Sequence, residues 1–258
     1  MRKYVGACIL GCLGLFVVVV LAVPQLRASI YRVFWGEPRF EGQAASDWVI
    51  QRFSTDRETR TNADDALSRM GDEAWNRNLD NPDSRVRVWA IHQELKHTGD
   101  PHGKDPKTRE ALVALTGLIN DEEHGDTRRY AADALVHVPV LLFESVGATD
   151  EMAKNLSKAL VCEDSFVRGT AATILRFRGF GTKAAAAVPG AVAALKDKDA
   201  DARKNAIDVL KAIGPSAKTA EPELIRLAKT DPSKVVRDEA ASAAKKLDAA
   251  AAAAQGVK

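Results

Sequence analysis

From about residue 41 onward the apolar positions recur at three- and four-residue spacing, interrupted every ten to fifteen residues by short polar turns. That spacing puts the apolar side chains on one face of each segment and predicts a succession of paired amphipathic helices. The first pair opens with FEGQAASDWVIQRF, where Trp48, Val49, Ile50 and Phe53 supply the apolar face. It turns at Ser54-Thr55-Asp56 and continues from Arg57 to Met70. The second has Trp75 and Leu79 as first-helix anchors and Val86 to Leu95 as its second helix. The third begins at Leu112, Leu115, Leu118 and Ile119 and ends at Pro139 after an expanded acidic turn. Three more run from about Asp150 to Gly179, Val188 to Gly214 and Glu221 to Leu247, and Pro189 and Pro222 suit a first helical turn.

A skeleton of four residues underlies the second helices. Arg203, Ala206, Leu210 and Gly214 set the spacing, and Arg168, Ala171, Leu175, Gly179 and Arg60, Ala63, Leu67, Gly71 reproduce it. Partial copies start at Arg87, Arg128 and Arg237, so the six arginines stand 27, 41, 40, 35 and 34 residues apart. Such a period points to stacked repeats rather than to one globular core. The alanines are expected where each second helix crosses its partner, the leucines one turn along between layers, and the glycines at left-handed helix ends. Asp56, Asp83, Asp164 and Asp199 each precede an arginine by four residues and are expected to cap the following helix. The arginine is expected to bond that Asp or the Asp of the adjoining repeat, forming a ladder.

The Asp-x-x-x-Arg-x-x-Ala-x-x-x-Leu-x-x-x-Gly unit, with Trp48 in its EGQAASDW lead-in, resembles HEAT repeats of the short bacterial type, including the phycobilin-lyase-like HEAT proteins. The resemblance covers about residues 41–248. It implies an all-α, right-handed α-solenoid of about six helix pairs, and a family containing both lyases and non-enzymatic adaptors.

Ahead of the repeats, Val5 to Val23 is uncharged and follows Arg2 and Lys3. Its length suits a transmembrane helix. The expected organisation is therefore a membrane anchor over 1–23, a juxtamembrane segment over 24–40, the repeat domain over 41–248 and an Ala-rich tail over 249–258. A cleaved signal peptide ending near Val20-Leu21-Ala22 is the competing reading, and Ile9-Leu10-Gly11-Cys12 only loosely resembles a lipobox. LRASIYRVFW, residues 26–35, has the amphipathic aromatic and basic character of an interfacial segment. With so short a tail before the anchor, the repeat domain is expected on the extracytoplasmic side of a single-pass protein.

Composition narrows the function. Arg2 and Lys3 are the only charges before Pro24, so the +2 chain has a formally neutral body with both signs interspersed, which disfavours nucleic acid as a partner. Cys162 is alone in the body, so no disulfide forms within it, and its apolar surroundings suggest a packed thiol. His92, His97, His102, His124 and His137 lie at spacings of five, five, 22 and 13, which do not make a metal-ligand set. The acidic turn at Asp121, Glu122, Glu123 and Asp126 lacks the alternation of a calcium loop. With no phosphate loop, nucleophile elbow or catalytic set, the expectation is a non-enzymatic protein-interaction scaffold without cofactor or small-molecule substrate. A repeat-based lyase or other enzyme, and a metal sensor using His97 and His102, are the alternatives. Lys204, Asn205, Asp208 and Lys211, with Asp64, Asp65 and Ser68 near the start, are the candidate partner surface.

Overall fold

The computed structural model describes residues 36–254 apart from 101 and 178–179. The expected anchor, most of the juxtamembrane segment and Gly179 lie outside the described residues. Among those described, no helix is long and apolar enough to cross a membrane. The contacts gather into two compact units, one ending at Gln93 and one beginning at Glu94.

The first unit opens on an element the helical pattern does not predict. Strands β1 (Arg39–Phe40) and β2 (Gln43–Ala44) pair antiparallel, with Phe40 opposite Gln43. Glu41 and Gly42 both have positive φ, +50° and +81°, the geometry of a tight hairpin turn. The expectation of an all-α chain is corrected to that extent: Glu-Gly supplies a turn that the sequence pattern hides in a helix lead-in. The Trp48 Nε1–H donates to the Phe40 carbonyl at 3.2 Å and ties the hairpin to α1 (Ala45–Arg52). Helix α2 (Arg57–Met70) buries Ala63, Ala66 and Leu67 and stops at Gly71, whose φ of +63° suits glycine.

The expected second pair shrinks at its start to one turn, α3 (Glu73–Asn76), before α4 (Ser84–His97). Two fully or nearly fully buried amides replace the missing helix: Asn78 Nδ2 donates to Ala74 O and to the Glu37 carboxylate, and Asn81 Nδ2 donates to Asn78 Oδ1. Satisfied on all these sides, they bury without an unpaired polar group.

In the second unit the pairs are α5 (Pro106–Leu118) with α6 (Gly125–His137), α8 (Asp150–Ala159) with α9 (Ser165–Phe177), α10 (Val188–Ala194) with α11 (Ala200–Ile213), and α12 (Glu221–Thr230) with α13 (Lys234–Ala254). First helices α5, α8 and α10 adjoin in one layer, and second helices α6, α9, α11 and α13 in the other. Ala131, Ala171, Ala206 and Ala240 are fully buried where the layers meet, as are Leu135, Leu175 and Leu210. Five helix pairs are thus followed along the described residues, the expected second one being reduced to a single turn before α4.

Three features were not expected. An extra helix, α7 (Val140–Val146), follows Pro139 and buries Leu142 and Phe143. Gly103, with φ of +55°, lies against it, so close that a Cβ there would stand 2.3 Å from Val146 Cγ2. Two 3₁₀ segments, Gly181–Ala187 and Gly214–Ala220, lead into α10 and α12, the second burying Ala217 and Ala220. Finally, α8 and α10 approach so closely that only glycine fits at 190, where Gly190 N donates to Ser157 Oγ at 3.1 Å.

Candidate interaction surface

The recurring arginine sits in the first turn of each second helix, beside the C-terminal end of the preceding segment, where carbonyls lack intrahelical partners. Its Nη1 fills that need. Arg60 donates to Ser54 O and Thr55 O, Arg87 to Asn81 O and Pro82 O, Arg168 to Cys162 O and Glu163 O, Arg203 to Asp197 O and Lys198 O, and Arg237 to Asp231 O and Pro232 O. In every case the acceptors are six and five residues back. At Arg128 the expanded turn moves the acceptor to Asp121 O, seven back, at 2.8 Å. A cation at that negative end also complements the helix dipole.

The rest of the guanidinium reaches forward to the next repeat. Arg128 pairs with Glu163 at 2.7 Å and its neighbour Arg129 with Asp164 at 2.9 Å. Arg168 stands 3.5 Å from both Asp197 and Asp199. Arg203 makes the tightest rung, Nε and Nη2 donating to the two Asp231 oxygens at 2.8 and 2.9 Å. That bond holds the Asp231 carboxyl below the usual carboxylate range and raises the Arg203 guanidinium.

The four aspartates ahead of the second helices accept from backbone N–H groups of the following turn. Asp56 accepts from Thr59 N at 2.7 Å, Asp83 from Arg85 N at 2.9 Å, Asp164 from Phe166 N at 2.8 Å and Asp199 from Asp201 N at 2.9 Å. The ladder to the adjoining repeat forms, but the expected bond from arginine to its own repeat's Asp gives way to the carbonyl pair. Gly214, with φ of +73°, closes α11 as Gly71 closes α2.

The candidate partner residues turn out to be partly committed to the stack. Asp208, 10% exposed at its side chain, receives Arg176 from α9 at 3.1 Å and Lys204 at 3.0 Å. Lys211 bonds Glu239 on α13 at 2.8 Å, and Asn205 is half-buried. In the first unit Asp64 pairs with Arg52 and Asp65 with Arg69, while Ser68 is exposed. The more open positions of the second-helix layer are Arg129, Asp133, Thr173, Asp201, Ser242 and Lys245. Arg129 lies over the Phe166 ring, 5.3 Å from its centroid. The strip carries both signs of charge, with polar and aromatic groups between braces that fix its backbone.

Among the described residues no group of three or more His, Cys, Asp or Glu could hold a metal ion. The Asp121 carboxylate is occupied in its turn, accepting from Glu123 N and His124 N. Cys162 is a half-buried free thiol.

Residues 153–245 match the family model for HEAT repeats. The crystal structure of an engineered protein is similar at 23% identity over 80% of this chain and 97% of its own, with a TM-score of 0.50. A designed armadillo repeat protein is similar at 18% identity over 78% of this chain and 98% of its own, with a TM-score of 0.43. No curated protein matches. Over residues 153–245 the chain is similar to HEAT repeats, and its fold of stacked helix pairs is like that of the engineered protein.

Proposed function

We propose that this protein is a membrane-anchored scaffold that binds another protein along the outward faces of its second helices, at the cell envelope. The observation that carries the reading is the layer of α6, α9, α11 and α13, whose adjoining faces form one continuous strip in the second unit. Repeat layers of this type offer extended binding surfaces. Inter-repeat ion pairs hold the strip's residues in place, so little ordering is required on binding. Its mixed charges suit a protein partner rather than a polyanion. The uncharged run from Val5 to Val23 supports a retained single-pass anchor, with residues 24–35 at the headgroup layer and the repeats on the extracytoplasmic side.

Crosslinking in intact membranes followed by mass spectrometry tests the scaffold. A reproducible protein partner is expected, crosslinked through lysines of the second-helix layer such as Lys245. Recovery of no partner, together with turnover of a small molecule by the purified protein, would sink it. Protection of the repeats from protease added to the cytoplasmic side, in membranes resistant to carbonate extraction, is expected for the anchored topology.

A further inference from the structure

The three second helices α6, α9 and α11 each bury the same flank under the following repeat. In α11 it consists of Arg203, Ile207 and Leu210, and in α9 of Arg168, Ala172 and Leu175; the apolar members are at most 1% exposed. The corresponding flank of α13 carries Arg237, Ala241 and Ala244, all half-exposed, followed one turn on by Asp248. Glu239, which bonds Lys211, marks the side of α13 facing α11. At 100° per residue the Arg237 flank lies roughly 170° round the helix from it. Among the described residues it is therefore a partly open side of α13.

That flank has an unused cation. The Nη1 of Arg237 takes its two carbonyls like every other copy, yet among the described residues no carboxylate reaches the remainder of its guanidinium, where Arg128, Arg168 and Arg203 all face acids of the next repeat. The residues not described contain no Asp or Glu, so none of their side chains supplies one. At the other end Asp248 is 72% exposed, with one oxygen on Lys218 at 2.8 Å.

The order along the flank is Arg, Ala, Ala, Asp at 237, 241, 244 and 248, and both pairs centre on the same point between 242 and 243. A second α13 laid antiparallel puts each Arg237 opposite the partner's Asp248 and each Ala241 opposite the partner's Ala244. Alanines at the crossing let the two backbones approach closely, at the lower end of the ~8–10 Å interaxial range. A surface whose residues pair with themselves reversed is the requirement of a two-fold interface. The helix provides the length: at 21 residues, about 31 Å, it exceeds its 13- and 14-residue counterparts.

We infer that the Arg237 flank of α13 is a contact between two copies of this chain, joined antiparallel through reciprocal Arg237–Asp248 pairs. The occupant is a second copy because the complementary charges are both on this flank. The test uses the full-length chain in mild detergent, with mass measured by light scattering across a dilution series. A dimer is expected. Arg237→Asp and Asp248→Arg should each weaken it by about a hundredfold, since each juxtaposes like charges twice. Mixing the two single variants should restore a dimer containing one of each, because an acid then meets a base at both ends of the crossing. That rescue separates the interface from folding, as Arg237→Asp also removes a carbonyl cap while Asp248→Arg does not. A monomer at all concentrations, growth beyond two copies, or a dimer indifferent to both charge reversals would overturn the inference.

Discussion

The glycine at 190 and the glycine at 169 look alike in the sequence, both inside helical segments, yet the same substitution should act on them with opposite signs. A Cβ at Gly190 would stand 2.1 Å from the Ser157 carbonyl oxygen and 2.3 Å from its hydroxyl. Ordinary contacts need ~3.5 Å or so, so α8 and α10 would have to part by more than about 1 Å. The displacement also strains two hydrogen bonds of buried Ser157, its Oγ donating to Ala187 O at 3.3 Å and accepting from Gly190 N at 3.1 Å. Overpacking of this kind costs ~1–3 kcal/mol and a lost hydrogen bond ~1, against a helix-propensity gain of up to ~1 for alanine. Gly190→Ala should therefore destabilise by about 2 kcal/mol. At Gly169 nothing lies within 4 Å of the added methyl, and only the propensity gain remains. Gly169→Ala should stabilise by ~0.5–1 kcal/mol. Thermal unfolding followed by circular dichroism reads both, at ~2–4 °C per kcal/mol for a protein of this size. A Gly190→Ala protein as stable as the parent would refute the close approach, and a destabilised Gly169→Ala protein would refute the open face.

Arg203→Ala leaves Asp231 buried beside an empty place and should cost about 3–5 kcal/mol by denaturant unfolding at neutral pH. Because Arg203 lowers the Asp231 pKa in the folded state, the pair's contribution is present in full above the ordinary carboxylate value of ~3.9 and is lost as pH falls below it. Lowering the pH through that range should thus destabilise the parent more than Arg203→Ala; parallel pH profiles would contradict the pairing. Leu210→Ala, at a fully buried position, should cost ~2–5 kcal/mol, whereas Val235→Ala, 55% exposed, should stay within ~0.5, as checked by the same unfolding curves.

Much of the construction is legible in residue spacing. Ala206 and Leu210 announce their burial because periodicity and size together allow few other places, and Asp199 announces a cap because its side chain bonds the backbone next to it. The arginines are harder to read. Half of what Arg203 does is to bond the carbonyls of Asp197 and Lys198, and carbonyls belong to every residue and leave no mark in a sequence. A signal for the other half does exist: an acid five or six residues before the next arginine, as at Glu163, Asp197 and Asp231. Gly190 and Ser157 meet across 33 residues through an approach that neither helix encodes alone. Val140 to Phe143 is an apolar run too short to declare its conformation, and Glu41-Gly42 sits where a helix lead-in fits equally well. The charged positions Asp208 and Lys211 read as solvent-facing because their partners Arg176 and Glu239 lie on neighbouring repeats.

Whether the recurring positions build the stack and the outward positions between them bind the partner is tested most directly by partner yield in membrane crosslinking, measured beside melting temperature. The exposed sites Thr173 and Asp201 and the packed site Leu210 serve as the contrast. The expected result is that Thr173→Arg and Asp201→Arg lower the yield severalfold at unchanged melting temperature, while Leu210→Ala lowers it only where the fold melts. Full yield from both outward variants, or loss of the partner in Leu210→Ala at an unchanged melting temperature, would contradict it.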